Sequence, residues 1–289
     1  MTKNPILFII IFLLISLPLY SQNSQSESHK NKSKIEFLPS QELFRPIKAS
    51  IFEPRISVAK NLNNDYLKLD IGYSPDIVSL KKRRNTYSVG VEFFTFSNLR
   101  NEDNFKFPVD AIDYYFGLKF SYQRPLKKNM TLSGRLRIAH ISSHFEDGHK
   151  YERTDTIFIP VIYSREFVDL SAILDTRLNK RISLRNQLSI NFLFHSIPDD
   201  FAKVYFQHGF EANFKITRIL SAYFSNELRL VQVKNKWNLN SNIETGIKIG
   251  KLNSRGVNLF FTYYDGQDYK GQYYEKHLNI KALGFSVDL

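Results

Sequence analysis

From about residue 54 onward the chain alternates apolar and polar residues with a period of two. In 66–73, Leu67, Leu69, Ile71 and Tyr73 share one face and Lys68, Asp70 and Gly72 the other. In 110–122, Ile112, Tyr114, Phe116, Leu118, Phe120 and Tyr122 oppose Asp113, Gly117, Lys119 and Ser121. In 182–195, Ile182, Leu184, Leu188, Ile190, Phe192 and Phe194 oppose Ser183, Arg185, Gln187, Ser189 and Asn191, and 203–216 repeats the scheme around Glu211 and Lys215. The pattern predicts twelve strands, at 54–61, 66–81, 86–97, 110–122, 131–144, 155–177, 181–195, 203–216, 219–233, 237–250, 255–264 and 274–289. Two of them change parity: 155–177, where either a bulge near Ser164-Arg165-Glu166 or a tight turn splitting the segment is expected, and 274–289, between Ile280 and Leu283.

This many long strands, each carrying large aromatics, are hard to place around one dry core. A membrane barrel takes about 9–11 residues per span and turns its apolar side to lipid. The expected fold is therefore all-β, a closed antiparallel transmembrane β-barrel of about 12 strands, with a soluble all-β binding protein as the competing reading. An even count returns both termini to the periplasm. The linkers at 82–85, 123–130, 178–180, 217–218 and 251–254 are short, as periplasmic turns are, and those at 98–109, 145–154, 196–202 and 265–273 are longer, as outer loops are, while the outer connections at 62–65 and 234–236 are short and lend no support.

Upstream of the strands, Lys3 and the apolar run Ile6–Ile15, with Leu-Tyr-Ser at 19–21, read as a secretory signal peptide; an uncleaved anchor is the competing reading. The Ser-, Asn- and Lys-rich stretch that follows carries no periodicity. The expected organisation is a signal peptide over 1–21, a disordered periplasmic leader over 22–41 and the barrel over 42–289, in the outer membrane of a Gram-negative envelope.

Composition alters little. The chain has 289 residues with 25 Phe, 16 Tyr, one Trp and no Cys, so neither disulfides nor a lipid-modified cysteine enter. A net charge of +12 suggests nucleic acid in a cytoplasmic protein. In a secreted barrel the fitting partners are anionic outer-membrane lipids, lipopolysaccharide and phospholipid, and no nucleic acid is expected. The run Lys81-Lys82-Arg83-Arg84 reads as a solvated turn. No phosphate loop, zinc spacing or dinucleotide fingerprint is present, so no cofactor and no metal are expected.

The candidate chemistry lies on 136–144. Its apolar face, Leu136 and Ile138, ends in His140, Ser142 and His144, while Arg135 and Arg137 point the other way. His140 and Ser142 on one face sit roughly 7 Å apart at Cβ. Ser142 could act as nucleophile and His140 as its base, with Asp155 (or Glu152) orienting the imidazole. The bland alternative is polar residues gathering at the headgroup level, where His144, Asp147 and His149 meet lipid; a third reading makes His140, His144 and Asp147 metal ligands, with no second constellation to support it. Asp113, Lys119, Arg135, Arg137, Arg185, Glu211, Lys215, Glu227 and Arg229 are expected to point into the lumen, either lining a pore or filling it with opposite-sign pairs.

The chain resembles an uncharacterised outer-membrane family, domain of unknown function 1207, over roughly 42–289. The resemblance rests on Phe44-Arg45-Pro46 to Phe52-Glu53-Pro54-Arg55, Asp113-Tyr114-Tyr115-Phe116-Gly117, His140 to Asp147, Tyr163-Ser164-Arg165-Glu166, Tyr263-Tyr264-Asp265-Gly266 and Gly271-Gln272-Tyr273-Tyr274. It implies an outer-membrane barrel and no particular activity. His140-x-Ser142 alone also resembles outer-membrane phospholipase A and the lipid A deacylases. The alternating 274–289 terminus resembles the signal read by the barrel-assembly machinery, with Leu289 where Phe is usual.

Overall fold

The computed structural model describes residues 33–102, 104–145 and 160–289. Fourteen strands form one antiparallel sheet: β1 (Lys34–Phe37), β2 (Ile56–Asn61), β3 (Tyr66–Tyr73), β4 (Asp76–Lys82), β5 (Asn85–Arg100), β6 (Val109–Lys127), β7 (Met130–Phe145), β8 (Tyr163–Arg177), β9 (Ile182–Ile197), β10 (Val204–Lys215), β11 (Leu220–Val233), β12 (Lys236–Gly250), β13 (Gly256–Gln267) and β14 (His277–Asp288). Each strand from β5 to β14 pairs with its successor, and β14 pairs with β2 to close the ring. β3 and β4 both pair with β5, along its two halves, so they are one span interrupted at Ser74-Pro75, where proline supplies no N–H to a ladder. The barrel therefore has twelve spans, as the alternation predicts, and no sheet edge is left open around the ring.

Closure turns one face of every span outward. Phe116, Leu118, Leu136, Ile138, Leu170, Phe206, Phe224, Leu259, Leu283 and Phe285 are exposed, while Lys119, Arg135, Arg137, Glu211 and Glu244 are buried. This is the reverse of a water-soluble core, and it fits a wall that meets hydrocarbon.

Both predicted parity changes resolve differently. β8 keeps one parity from Tyr163 onward; the irregularity lies in its pairing with β9, where Glu166 opposes His195 and Phe167 opposes Leu193. Phe194 is the extra residue, and Phe194 and His195 both face outward. In β14 the parity never switches. Leu278 and Ile280 face inward and pack with Tyr264 and Tyr269, while Leu283 and Phe285 face outward. β1 falls inside the stretch expected to be leader. Lys34–Phe37 pairs with Val78–Lys81, extending the sheet beyond the ring.

Two segments occupy the interior. Residues 42–55 fold into the barrel between β1 and β2, with Phe44, Ile47, Ala49, Phe52 and Glu53 buried. From the opposite end, the β13–β14 connection turns inward through a short 3-10 turn at Gly271–Tyr273. Gly271 approaches so closely that a Cβ there would lie 2.3 Å from the Tyr163 ring.

Candidate functional site

The lumen is a filled site. Along the internal segment the backbone N–H of Ile47 donates to Gln187 Oε1 (3.4 Å), that of Lys48 to Glu211 (2.7 Å), that of Ala49 to Ser225 Oγ (3.0 Å) and that of Ile51 to Glu227 (3.2 Å). Asn242 donates to the Ala49 carbonyl (2.7 Å), and Arg185 donates to the carbonyls of Arg45 and Pro46. Polar groups of the segment that would otherwise be unpaired thus find partners on the inward side chains of β9, β10, β11 and β12.

At the centre Arg135 makes a bidentate pair with Glu53 (2.6 and 2.7 Å) and contacts Asp169 (3.1 Å). Arg137 reaches Glu53 (3.2 Å), Asp169 (3.3 Å) and Glu92 (3.5 Å). Two guanidinium groups thus face three carboxylates, and the third carboxylate, Glu53, comes from the internal segment. Burial by itself would raise the Glu53 carboxyl, but the charges of Arg135 and Arg137 outweigh it and hold it at about 2. Nearer the short-turn end, burial pushes Glu42 up to about 7 in spite of Lys119. Lys119 itself pairs with Asp76 (3.2 Å), and Asp76 accepts the Leu43 N–H (2.7 Å).

The interior is not uniformly polar. Phe52 of the internal segment packs among inward Phe94, Phe96, Tyr115, Phe167 and Tyr205. Alternation alone missed these rings, because stretches such as Phe93-Phe94-Thr95-Phe96 are apolar on both faces.

The outer rim carries a second cluster. His140, Glu166 and His195 stand on neighbouring strands in direct register, all facing outward. His140 Nδ1–H donates to Glu166 Oε1 (2.7 Å), Ser164 Oγ donates to the same oxygen (2.8 Å), and His195 Nδ1 donates to Glu166 Oε2. A neutral His140 therefore presents an unprotonated Nε2. Ser142 is opposite Ser164 and Tyr114 on the same face, and it is not hydrogen-bonded to His140. His144 is exposed with its ring edge-on to Tyr114 (5.7 Å). Asp147, His149, Glu152 and Asp155 lie outside the described residues. Sequence reading passed over Glu166 and His195 as site residues. Ser164-Arg165-Glu166 is visible as an irregularity, but His195 reaches this face only through the bulge at Phe194.

Of the residues expected in the lumen, Asp113, Lys119, Arg135, Arg137, Glu211, Glu227 and Arg229 are buried. Arg185 is largely covered and bonded to Asp175 (2.6 Å) and Glu211 (3.3 Å), while Lys215 is exposed at its strand end. Asp113 holds the inward-folded loop: it accepts from Ser143 Oγ and from the Gly271 N–H (2.9 Å). Gln272 adds bonds to the carbonyls of Ser143 (2.8 Å) and Val161 (2.9 Å). Among the described residues no group of three or more potential ligands is arranged to hold a metal.

A closed ring of spans with an apolar exterior and a charged, filled interior defines a transmembrane β-barrel. Within that class the chain belongs to the protein family of unknown function DUF1207, which it matches over residues 85–288. No curated protein matches it in sequence. Two solved structures are similar to it at a low level. The β domain of the Bordetella autotransporter BrkA is 10% identical, with 81% of this chain and 96% of that one covered and a TM-score of 0.45. The Pseudomonas putida toluene transporter TodX is 10% identical, with 77% and 69% covered and a TM-score of 0.40. Likeness at this level says nothing of what this chain does.

Proposed function

We propose that this is an integral outer-membrane protein whose barrel is closed to free diffusion by its own residues 42–55, serving the envelope as a sealed structural barrel or as a transporter that conducts only when that segment leaves. The bidentate Arg135–Glu53 pair carries the reading, since it fastens the segment across the middle of the lumen. Outer-membrane lipids are the natural neighbours of the apolar wall, the barrel-assembly machinery of its alternating last strand, and a cleaved signal peptide over 1–21 supplies export. In planar bilayers the folded protein is expected to give no steady conductance, while deletion of 42–55 is expected to give discrete channel events. Steady conductance from the intact protein overturns the sealed lumen.

A second reading has one observation in its favour, the Glu166–His140 hydrogen bond. With Nδ1 occupied, His140 Nε2 is free to take a proton from Ser142 after a rotation of the hydroxyl, and Glu166 orients the ring in place of Asp155. The serine would then attack a lipid acyl ester from the membrane side of the wall, its proton passing to His140 and on to the alcohol that leaves, and water activated by His140 would release the acyl group as the free acid. In mixed micelles, Ser142→Ala is expected to abolish acyl-ester cleavage and Glu166→Gln to lower it about 10²-fold or more. Absence of cleavage by the wild-type barrel, or unchanged cleavage by Ser142→Ala, removes this reading.

A further inference from the structure

Between the internal segment and the inward-folded β13–β14 loop lies a cavity of ≈ 40 Å³, walled by Phe52, Tyr163, Phe201 and Tyr205 and roofed by Tyr269 and Tyr274. Two guanidinium groups line it, Arg165 and Arg229, and so do the carboxylates of Glu227, paired with Arg229, and Asp268, paired with Lys270. They stand against shared rings: Arg229 lies 4.2 Å from the Phe52 centroid, and Arg165 lies 5.7 Å from Phe52 and 5.0 Å from Phe201.

The two arginines differ in their partners. Arg229 has Glu227 (3.4 Å) and Gln207 Oε1 (3.2 Å). Arg165 is 7% exposed and has no carboxylate partner among the described residues, and its Nε has no hydrogen-bond acceptor. Aromatic faces and the neighbouring Tyr163 are what surround it. Among the described residues the carboxylates that could neutralise it are committed elsewhere. Asp113 is taken by Ser143 and Gly271, Asp169 by Arg135 and Arg137, and Asp268 by Lys270 (2.8 Å). A buried cation without a counter-charge is costly, and a retained one implies an anion that arrives from outside. The flat guanidinium fork suits a planar or tetrahedral oxyanion, bound two oxygens at a time.

We infer that this cavity is a binding site for a small oxyanion, a carboxylate or a phosphate, held by Arg165 with Arg229 beside it and covered by the β13–β14 loop. The volume sets the size. One water needs roughly 10–15 Å³, so the space has room for an ion of acetate or phosphate dimensions. The site stands independently of whether the lumen ever opens, because it lies on the loop side of the internal segment.

Thermal unfolding and calorimetric titration of the full chain, folded in detergent, test the inference with inorganic phosphate and acetate as probes and chloride at matched ionic strength as reference. Saturable binding and a raised melting temperature with either probe are expected; which of the two acts distinguishes a phosphate site from a carboxylate site. Arg165→Gln is expected to weaken binding at least tenfold, and Arg165→Lys, which keeps the charge without the fork, to weaken it by less. Arg84→Gln, in an exposed turn, is expected to bind as the wild type does. Heat-modifiable gel migration certifies that each variant is folded, and if Arg165→Gln fails to fold, Arg165→Lys carries the comparison. An equal response to chloride, or wild-type affinity in a folded Arg165 variant, overturns the proposal.

Discussion

Glu53 is the residue on which the interior turns. Among the described residues it is the only carboxylate of the Arg135–Arg137 cluster that the barrel wall does not itself supply, so its removal takes away the bidentate partner of Arg135 and leaves buried N–H donors without an acceptor. Removing one partner of such a buried pair costs about 3–5 kcal/mol. Glu53→Gln is accordingly expected to free residues 42–55 for limited proteolysis in detergent while the strands stay resistant. Equal resistance in the variant would mean that the segment is held by its backbone bonds alone. The pH dependence follows from two carboxyls of opposite sign. The Glu53 value lies below its ordinary 4.5, so its stabilisation is present above that pH and is lost as pH falls toward about 2. The Glu42 value is raised to about 7, so its contribution runs the other way, and stability declines as pH rises from 4.5 to about 7. The unfolding midpoint is expected to peak near pH 5, and Glu42→Gln to flatten the limb between pH 5 and 7. A midpoint that climbs steadily to pH 7 in the wild type would contradict this.

Among the elements, the strands were legible and their irregularities were not. Strict alternation in 110–122 and 203–216 identifies which side chains face out, because a span with lipid on one side and a polar interior on the other has only one workable register. Leu170, on β8 between Leu136 and Ile190, is exposed on the apolar wall. Leu170→Arg is expected to destabilise the folded barrel by about 2–4 kcal/mol in phospholipid vesicles, as an arginine near the bilayer midplane does. A cost below about 1 kcal/mol would place β8 outside the hydrocarbon. The bulge at Phe194 and the interrupted β3–β4 span depend on cross-strand pairing. A chain read alone shows a break in parity without showing which of two neighbouring strands absorbs it. In β14 the apparent break is no break at all: Leu278 and Ile280 are apolar because they face the packed β13–β14 loop. Sequence patterning treats apolar as outward in a barrel, and it fails wherever the interior is dry.

For the whole molecule, twelve paired spans and a segment threaded back through the lumen leave no open edge around the ring among the described residues, β1 lying outside it. Unheated protein is expected to migrate faster than boiled protein in detergent gels, and a single band at one mobility would contradict a closed barrel. The same closure explains why the two candidate sites are so differently legible. The outer-rim cluster was half visible, since His140, Ser142 and His144 lie on one strand and share a face by spacing alone. Its other half, Glu166 and His195, comes from two further strands. The lumen residues could be named from parity, but their contacts could not, because Arg135 and Glu53 are 82 positions apart.

What the sequence by itself determined is the wall: the class of fold, the number of spans and the side of each that meets lipid. Those properties follow from a period-two pattern, which is local. What only the tertiary structure decided is the content of the barrel, namely the segment that fills it, the loop that covers it and, between them, an arginine with no carboxylate partner among the described residues. These depend on which distant side chains closure brings within hydrogen-bonding distance. No periodicity along the chain encodes that.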